Sequence, residues 1–310
     1  MALRDVNWGR VFAGAVLFGA VSTSASALTF NFTQIVGDSL TTSEAAAFTA
    51  AGAAWSVVLG DKVTVSVQIG FRSLGSGVLG QTSPVFFSGN AGVIKTALAA
   101  DAKTSNDAQA IASLSTVSGA GSIAVTNAEA KALGFIQPGS DGTIEFTTNF
   151  TFSDSRNPDG SIASNNFDLI GVAEHEIAHL LGFDSSIDGG TSGVPSLLDE
   201  FRFSSAGVRA TTAGSAFFSL TNGSTAQVDG SGTAAAFSTG SGDQASHWLR
   251  GVNALMVPAY STGQVINITP LDVIALDVIG WDSTIPEPQS ISILLVGLVG
   301  LAASRRRPSI

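Results

Sequence analysis

The chain contains no cysteine and few charged residues. Of its 310 residues, 12% are charged and 45% are hydrophobic. The absence of cysteine excludes disulfide bonds, thiolate metal ligands, a thiol nucleophile and a pro-segment that inhibits through a cysteine. The formal net charge of −10 argues against nucleic acid as a partner, because phosphate binding needs a basic surface. The hydrophobic content is instead typical of a globular protein.

Histidine is also scarce, but two of the three histidines stand four residues apart in His175-Glu176-Ile177-Ala178-His179. Residues at this spacing share one face of a helix, so both imidazoles can reach one metal ion at about 2.0–2.1 Å. Glu176 stands beside the first ligand, where its carboxylate can take a proton from water on the metal. The pattern is the signature of zinc metalloproteases and predicts a Zn²⁺ site with Glu176 as the catalytic base.

A catalytic zinc ion usually has three protein ligands and one open position. In the short extension of the motif, a glycine turns the chain back towards a third histidine. Gly182 is in place, but Ser185 stands where that histidine is expected. Three sources of the third ligand remain: Asp184, which is one residue out of register, the acidic pair Asp199 and Glu200, and the remaining histidine, His247.

His247 lies in Ser246-His247-Trp248, and Met256 follows in Leu255-Met256-Val257-Pro258. The second run resembles the Met-turn of metzincins, and residues 165–282 resemble the leishmanolysin family, in which a long insertion precedes the third histidine. The resemblance implies that His247 completes the zinc site, with Met256 beneath the metal. It also implies a metzincin-like zinc protease domain, although the family's disulfides are absent. Tyr260, the only tyrosine, is expected near the site, either assisting there or packing under the turn.

Alternating apolar and polar residues predict strands at 28–36, 62–71 and 142–152. Helix-start and helix-end signals predict helices at 45–59, 92–102, 126–134 and 271–279. Residues 211–244, which are rich in Gly, Ser, Thr and Ala, are predicted to form short strands and loops. We therefore expect an α/β (α+β) fold with a twisted mixed sheet, an N-terminal subdomain over 28–182 and a C-terminal subdomain over 183–283. Strand 142–152 is predicted to be the edge strand that pairs with a substrate peptide.

The two ends of the chain are predicted to be targeting segments. Residues 1–27 carry basic residues, an apolar run and a small-residue cleavage site, as a signal peptide does. Residues 284–310 resemble a PEP-CTERM sorting signal, because Pro286-Glu287-Pro288 precedes an apolar run and three arginines. The resemblance implies processing by an exosortase-type enzyme. We expect export across the inner membrane of a Gram-negative bacterium, transient membrane contact through the terminal apolar segments, and a final place at the cell surface or in the extracellular matrix.

The function predicted from these features is that of a secreted zinc-dependent metalloendopeptidase acting on a protein or peptide substrate. The alternative is a non-catalytic surface or exopolysaccharide-matrix protein that keeps a metzincin-like fold. Four aspartates could contribute to a calcium site, although their spacing fits no known calcium loop, so isolated surface aspartates are the favoured interpretation. They are Asp184, Asp188, Asp229 and Asp243.

Overall fold

The computed structural model describes residues 28–285, except for 118, 120 and 189–192. The described strands are β1 (Thr29–Gln34), β2 (Thr64–Arg72), β3 (Gly80–Pro84), β4 (Phe86–Asn90), β5 (Ser122–Thr126), β6 (Gly142–Thr147), β7 (Phe152–Ser153), β8 (Phe167–Asp168), β9 (Arg202–Ser205), β10 (Val208–Arg209), β11 (Ala216–Phe218) and β12 (Ala236–Phe237). The described helices are α1 (Thr42–Val58), α2 (Ala91–Asp101), α3 (Ser105–Leu114), α4 (Asn127–Ala132), α5 (Leu169–Leu180) and α6 (Pro270–Asp277).

The main sheet has the strand order β1-β2-β6-β3. Strands β1, β2 and β6 are parallel, whereas β3 runs antiparallel to β6. Alternate residues of β2 enter the core, where Val65, Val67 and Ile69 are at most 1% exposed. The predicted α/β fold with a mixed sheet is therefore confirmed.

The prediction for strand 142–152 is wrong in two respects. The strand ends at Thr147, and it lies inside the sheet between β2 and β3. Five of its six residues are buried, so its apolar pattern reflects a core position and not an edge. The edge beside it is β3, with the sequence Gly-Gln-Thr-Ser-Pro, for which the sequence analysis predicted no strand. It pairs because β6 offers an open row of backbone groups, and its terminal Pro84 is tolerated at an edge.

Helix α5 carries the two paired histidines and packs against both the sheet and α1. Trp55 of α1 is fully buried and donates an indole N–H hydrogen bond to the carbonyl of Glu174, at 2.9 Å. At the other end, the Trp281 indole donates to the carbonyl of Leu181 at 2.7 Å. Two buried tryptophans thus fix both the middle and the end of α5.

The C-terminal part contains a second, antiparallel sheet with the order β10-β9-β11-β12. Its aromatic core includes Phe218 and Phe237, which pack on Trp248. The Trp248 ring also meets Phe183, just after α5, with ring centroids 5.0 Å apart. This packing brings the segment around His247 to the end of α5. As predicted, 211–244 forms only short strands and loops.

The four predicted helices are present, with ends that differ by a few residues. Helix α1 begins with a capping box between Thr41 and Glu44, and α6 begins with one between Thr269 and Asp272. The sequence did not predict α3 or the β4–β5 pair. Within the described residues, no helix is long and apolar enough to cross a membrane. The predicted signal peptide and nearly all of the predicted sorting signal lie outside the described residues.

Candidate metal centre

Helix α5 buries His175 and Glu176 and leaves His179 half-buried. His175 is 5% exposed and Glu176 is 6% exposed. The helix ends at Leu180, and Gly182 follows with a φ of +115°. A Cβ atom there would lie 2.7 Å from Oε2 of buried Glu129. Only glycine fits this turn, as the motif predicted, and the chain leaves the helix directly below the two histidines.

His247 joins the two helix histidines. Its Nε2 lies 3.1 Å from Nε2 of His175, which in turn lies 3.2 Å from Nε2 of His179. Two nitrogens bound to a tetrahedral zinc ion at about 2.0–2.1 Å are themselves about 3.3 Å apart. Among the described residues, these three histidines form the only group of three or more His, Cys, Asp or Glu side chains with the spacing of a metal site. The group could therefore hold a metal ion.

The hydrogen bonds of Nδ1 in His175 and His179 show that Nε2 of each ring is available to bind a metal ion. Nδ1 of His175 lies 3.1 Å from the carbonyl oxygen of Leu255, and Nδ1 of His179 lies 2.7 Å from that of Phe183. A carbonyl oxygen can only accept, so each Nδ1 carries the proton and each Nε2 presents a lone pair. Lone pairs that face each other at this distance repel unless a cation lies between them. The donor set therefore fits a divalent metal such as zinc.

Burial keeps these imidazoles neutral, which is the form that binds a metal. Burial lowers the pKa of His179 to about 4 and that of His247 to about 3. It also lowers the pKa of His175 well below its usual value, with the neighbouring His179 and His247 as further causes. Near neutral pH, protons therefore do not compete with a metal ion for the three nitrogens.

The predicted Met-turn lies against the first histidine. The carbonyl of Leu255 is the hydrogen-bond partner of His175, and Met256 is fully buried in the core. The backbone N–H of Trp248 donates to the carbonyl of Met256 at 2.7 Å. The turn and the His247 segment therefore hold each other in place.

Asp272 is a structural residue of the site that the sequence analysis missed. Its buried carboxylate accepts hydrogen bonds from the N–H groups of Leu255 and Met256, at 2.9 and 3.2 Å, and from the Trp248 indole at 2.9 Å. It also caps α6 through Thr269. The capping-box spacing of Thr269 and Asp272 was a visible signal, but it indicates only the local cap. The contacts with 248 and 255–256 depend on the tertiary fold.

Tyr260 takes a place behind His175. Its hydroxyl lies 2.7 Å from Nδ1 of His175 and donates a hydrogen bond to the carbonyl of Leu255. The hydroxyl oxygen can accept the Nδ1 proton while its own proton goes to Leu255. Of the two expectations for Tyr260, packing beside the turn describes this position better. The side chain orients the His175 ring from behind, through Nδ1.

Glu176 contacts the edge strand β3. The Thr82 hydroxyl lies 2.8 Å from Oε2 of Glu176 and 2.8 Å from its carbonyl oxygen. A Cβ atom on Gly80 would come within 2.8 Å of the other carboxylate oxygen. Burial raises the pKa of Glu176 to about 7, and the Thr82 hydrogen bond opposes that rise. A carboxylate with a pKa near neutrality can both accept and return a proton.

The three histidines and Glu176 line a cleft of about 580 Å³. One side is formed by Gly77–Thr82, another by Gly242–Gln244 together with Ser246, and a third by Val257–Tyr260. Phe150 and Phe167 add an aromatic pair with ring centroids 5.4 Å apart. The volume lies within the range of small-ligand and peptide-side-chain pockets.

The acidic alternatives for the third ligand are engaged elsewhere. Asp199 accepts hydrogen bonds from the Ser185 hydroxyl and from the N–H groups of Ser186 and Ser196. Glu200 forms an ion pair with Arg209 at 3.0 Å. Asp184 lines the cleft but does not belong to the histidine group.

The four aspartates considered for calcium do not gather into a site within the described part of the chain. Asp243 pairs with Arg250 at 2.7 Å. Asp229, only 4% exposed, accepts hydrogen bonds from the N–H groups of Ser231 and Thr233. Asp188 accepts from Ala245 and Ser246. The interpretation as isolated surface aspartates is therefore wrong for Asp188 and Asp229, whose carboxylates organise backbone turns.

No model of a known protein family matches this chain, and no curated protein matches it.

Proposed function

We propose that the protein is a zinc-dependent metalloendopeptidase. One observation carries the proposal: three histidine Nε2 atoms converge in a cleft beside a buried carboxylate. His175, His179 and His247 would hold the zinc ion, and three protein ligands leave one position open, as in catalytic sites. The chemistry that bound zinc supplies is Lewis acidity, which lowers the pKa of water and polarises a peptide carbonyl.

In this proposal, Glu176 transfers the proton. Its carboxylate accepts a proton from the attacking water and later donates one to the amine nitrogen of the departing peptide. The raised pKa of about 7, caused by burial, suits both steps near neutral pH. Thr82 holds Oε2 of Glu176 and thereby fixes the direction of the carboxylate. Tyr260 and the carbonyl of Leu255 orient His175 from behind.

Strand β3 supports a peptide as the substrate. It pairs with β6 on one side only, while Gly80, Gln81 and Thr82 line the cleft. An extended peptide can add to such a free edge through backbone hydrogen bonds. The same strand holds Glu176, so a peptide paired there would lie beside the proposed base. The role predicted for strand 142–152 thus passes to β3.

The proposal includes export. The signal-peptide pattern of 1–27 and the PEP-CTERM resemblance of 284–310 support passage across the inner membrane and processing by an exosortase-type enzyme. Within the described residues, Thr284 bonds to the carbonyl of Val58 at 3.0 Å. The domain therefore continues up to the predicted sorting signal, and cleavage near Pro286 would leave the proposed catalytic residues intact.

The proposal is tested by casein cleavage with the purified protein, before and after a chelator removes divalent metal. Cleavage should stop with the chelator and return when one equivalent of zinc is added. His247→Ala should bind zinc far more weakly and lose activity, whereas Glu200→Gln, at an acidic candidate that pairs with Arg209, should keep both zinc affinity and activity. Persistent cleavage by the metal-free protein would refute the proposal. Zinc binding without cleavage of casein, gelatin or a peptide library would favour the non-catalytic surface protein.

A further inference from the structure

The segment that follows α5 ends against the chain that carries His247. Asp188 stands nine residues after His179. Its two carboxylate oxygens accept hydrogen bonds from the N–H groups of Ala245, at 2.6 Å, and Ser246, at 2.9 Å. These are the two residues before His247. Asp188 therefore fixes the backbone donors that lead into the third histidine.

Arg202 donates hydrogen bonds to carbonyl oxygens of the same segment and of a neighbouring one. Its guanidinium donates to the carbonyl oxygens of Ala245, at 3.0 Å, and Ser238, at 2.5 Å. The N–H of Ser238 donates in turn to the carbonyl of His247 at 2.8 Å. One guanidinium thus joins the segment that precedes His247 to the segment around Ser238, which bonds to the carbonyl of His247. Asp188 and Arg202 together form what we call the His247 clamp.

The burial of Arg202 indicates that its hydrogen bonds, and not its packing, explain its presence in the clamp. Arg202 is 1% exposed and lies over the Phe237 ring at 5.0 Å. Among the described residues it makes no ion pair within 4.0 Å, and its Nε has no hydrogen-bond partner. Burying a charge without a direct counter-ion is costly, so simple packing would be served better by an apolar residue. What the guanidinium adds is directed hydrogen bonding to the carbonyl oxygens of Ala245, Ser238 and, at 3.4 Å, Gly214.

Asp188 is connected to the end of α5 by a short segment. It ends a short 3-10 helix, Ser186–Asp188. The start of this helix is fixed by Asp199, which accepts from the Ser185 hydroxyl at 2.7 Å and from the N–H of Ser186 at 2.8 Å. The chain between α5 and Asp188 is therefore a short link that Asp199 holds at Ser185 and Ser186. Asp188 therefore connects the segment before His247 to the end of α5, the helix that carries the other two histidines.

We propose that Asp188 and Arg202 are positioning residues that set the place of His247 and thereby the affinity of the site for zinc. The turn after Gly182 does not supply a ligand, because Ser185 stands at that position. It supplies the carboxylate that holds the remote ligand. This inference rests on the proposed zinc site, but it concerns metal affinity and does not depend on which bond the protein cleaves.

The experiment is a zinc titration of the purified protein in competition with a chromophoric chelator. Asp188→Ala and Arg202→Met should each weaken zinc binding about 10- to 100-fold, as loss of residues that orient metal ligands typically does. Asp188→Asn, which keeps the size and one acceptor, should weaken it less. The cobalt-substituted protein should show an altered visible spectrum in the same variants, because the geometry at the metal changes.

Asp107 offers a matched control. It is buried and, like Asp188, accepts two consecutive backbone N–H groups, those of Lys103 and Thr104, at 2.7 and 2.8 Å. Asp107→Ala should lower the melting temperature without changing zinc affinity. Asp188→Ala should have no further effect on residual zinc binding in a His247→Ala background, because the clamp acts through His247.

Three results would overturn the inference: wild-type zinc affinity in both Asp188 variants, an equal loss of affinity in Asp107→Ala, or the same loss with and without His247. Failure of the wild-type protein to bind zinc is a different result, because it would refute the proposed function itself.

Discussion

At the scale of single residues, the proposed base depends on a hydroxyl outside the motif. Thr82 lies on β3, far from Glu176 in sequence, and its hydroxyl contacts Oε2 at 2.8 Å. A hydrogen bond to a charged group contributes about 1.5–3 kcal/mol. The motif identifies Glu176 but gives no information on what aligns its carboxylate.

We therefore expect Thr82→Val to lower kcat/KM by about 10- to 100-fold, because a hydrogen bond worth about 1.5–3 kcal/mol is lost at the base. Zinc content should not change, since Thr82 does not contact a histidine. Steady-state cleavage of a fluorogenic peptide measures the effect. Thr82→Ser should retain most of the activity, and Ser83→Ala, on the exposed side of the same strand, is the control. Full activity in Thr82→Val would contradict the assigned role.

The residues of the candidate site were predicted better than their surroundings. The spacing of His175 and His179 and the scarcity of histidine led directly to the three-histidine group that could hold a metal ion. The contacts of Asp188, Arg202 and Asp272 could not be predicted, because each connects segments far apart in the chain through backbone groups. An aspartate that accepts N–H bonds has no sequence pattern of its own.

At the scale of elements, α6 stabilises the site through one side chain. Asp272 is fully buried and receives the N–H groups of Leu255 and Met256 and the Trp248 indole N–H. Each of these donors would be left buried without a partner if the carboxylate were removed. The cost of an unpaired buried group is about 1–3 kcal/mol.

Asp272→Ala should accordingly lower the free energy of unfolding by at least about 3 kcal/mol, the sum of three unpaired donors. Chemical denaturation followed by tryptophan fluorescence measures it. Asp272→Asn should be less damaging, because one acceptor oxygen remains. Thr269→Ala, which removes only the hydroxyl partner of the helix cap, is expected to cost about 1 kcal/mol. An Asp272→Ala protein as stable as Thr269→Ala would contradict the assigned role.

The alternation of polar and apolar residues predicted strand β2 but not strand β3. Strand β2 was predicted with ends that differ by one or two residues, because polar and apolar residues alternate along it. Strand β3 was missed, because Gly80–Pro84 contains no apolar residue apart from its proline. Its pairing depends on the free edge of β6, which is a property of the assembled sheet. For that reason, the strand proposed to pair with a substrate is β3 and not strand 142–152, which the sequence predicted.

At the scale of the whole molecule, buried carboxyl groups make stability depend on pH. Burial raises the pKa of Asp61 from 3.8 to about 7, and the neighbouring carboxylates of Asp282 and Asp101 add to the shift. Between these pH values the unfolded chain has lost a proton that the folded protein still holds. The unfolded state then binds fewer protons, so the free energy of unfolding falls as the pH rises from about 4 to about 7.

Asp61→Asn should therefore be more stable than the wild type at pH 8, by at most about 4 kcal/mol, because the amide carries no charge to bury. The variant keeps an oxygen for the N–H of Asp282, which bonds Asp61 at 2.8 Å. At pH 4 the two proteins should differ little. Urea unfolding at both pH values measures the difference. A variant that is destabilised equally at pH 4 and pH 8 would show that the raised pKa is not the cause.

The central claim is that three histidines hold zinc beside Glu176, and that Glu176 transfers the proton in peptide hydrolysis. The most direct measurement compares zinc per chain and the rate of peptide cleavage in the wild type and in Glu176→Gln. We expect both proteins to bind one zinc ion per chain, because Glu176 is not a ligand. The rate should fall by about 10²- to 10⁴-fold in the variant, the usual contribution of a general base. Cleavage by Glu176→Gln at the wild-type rate, with zinc bound, would contradict the account.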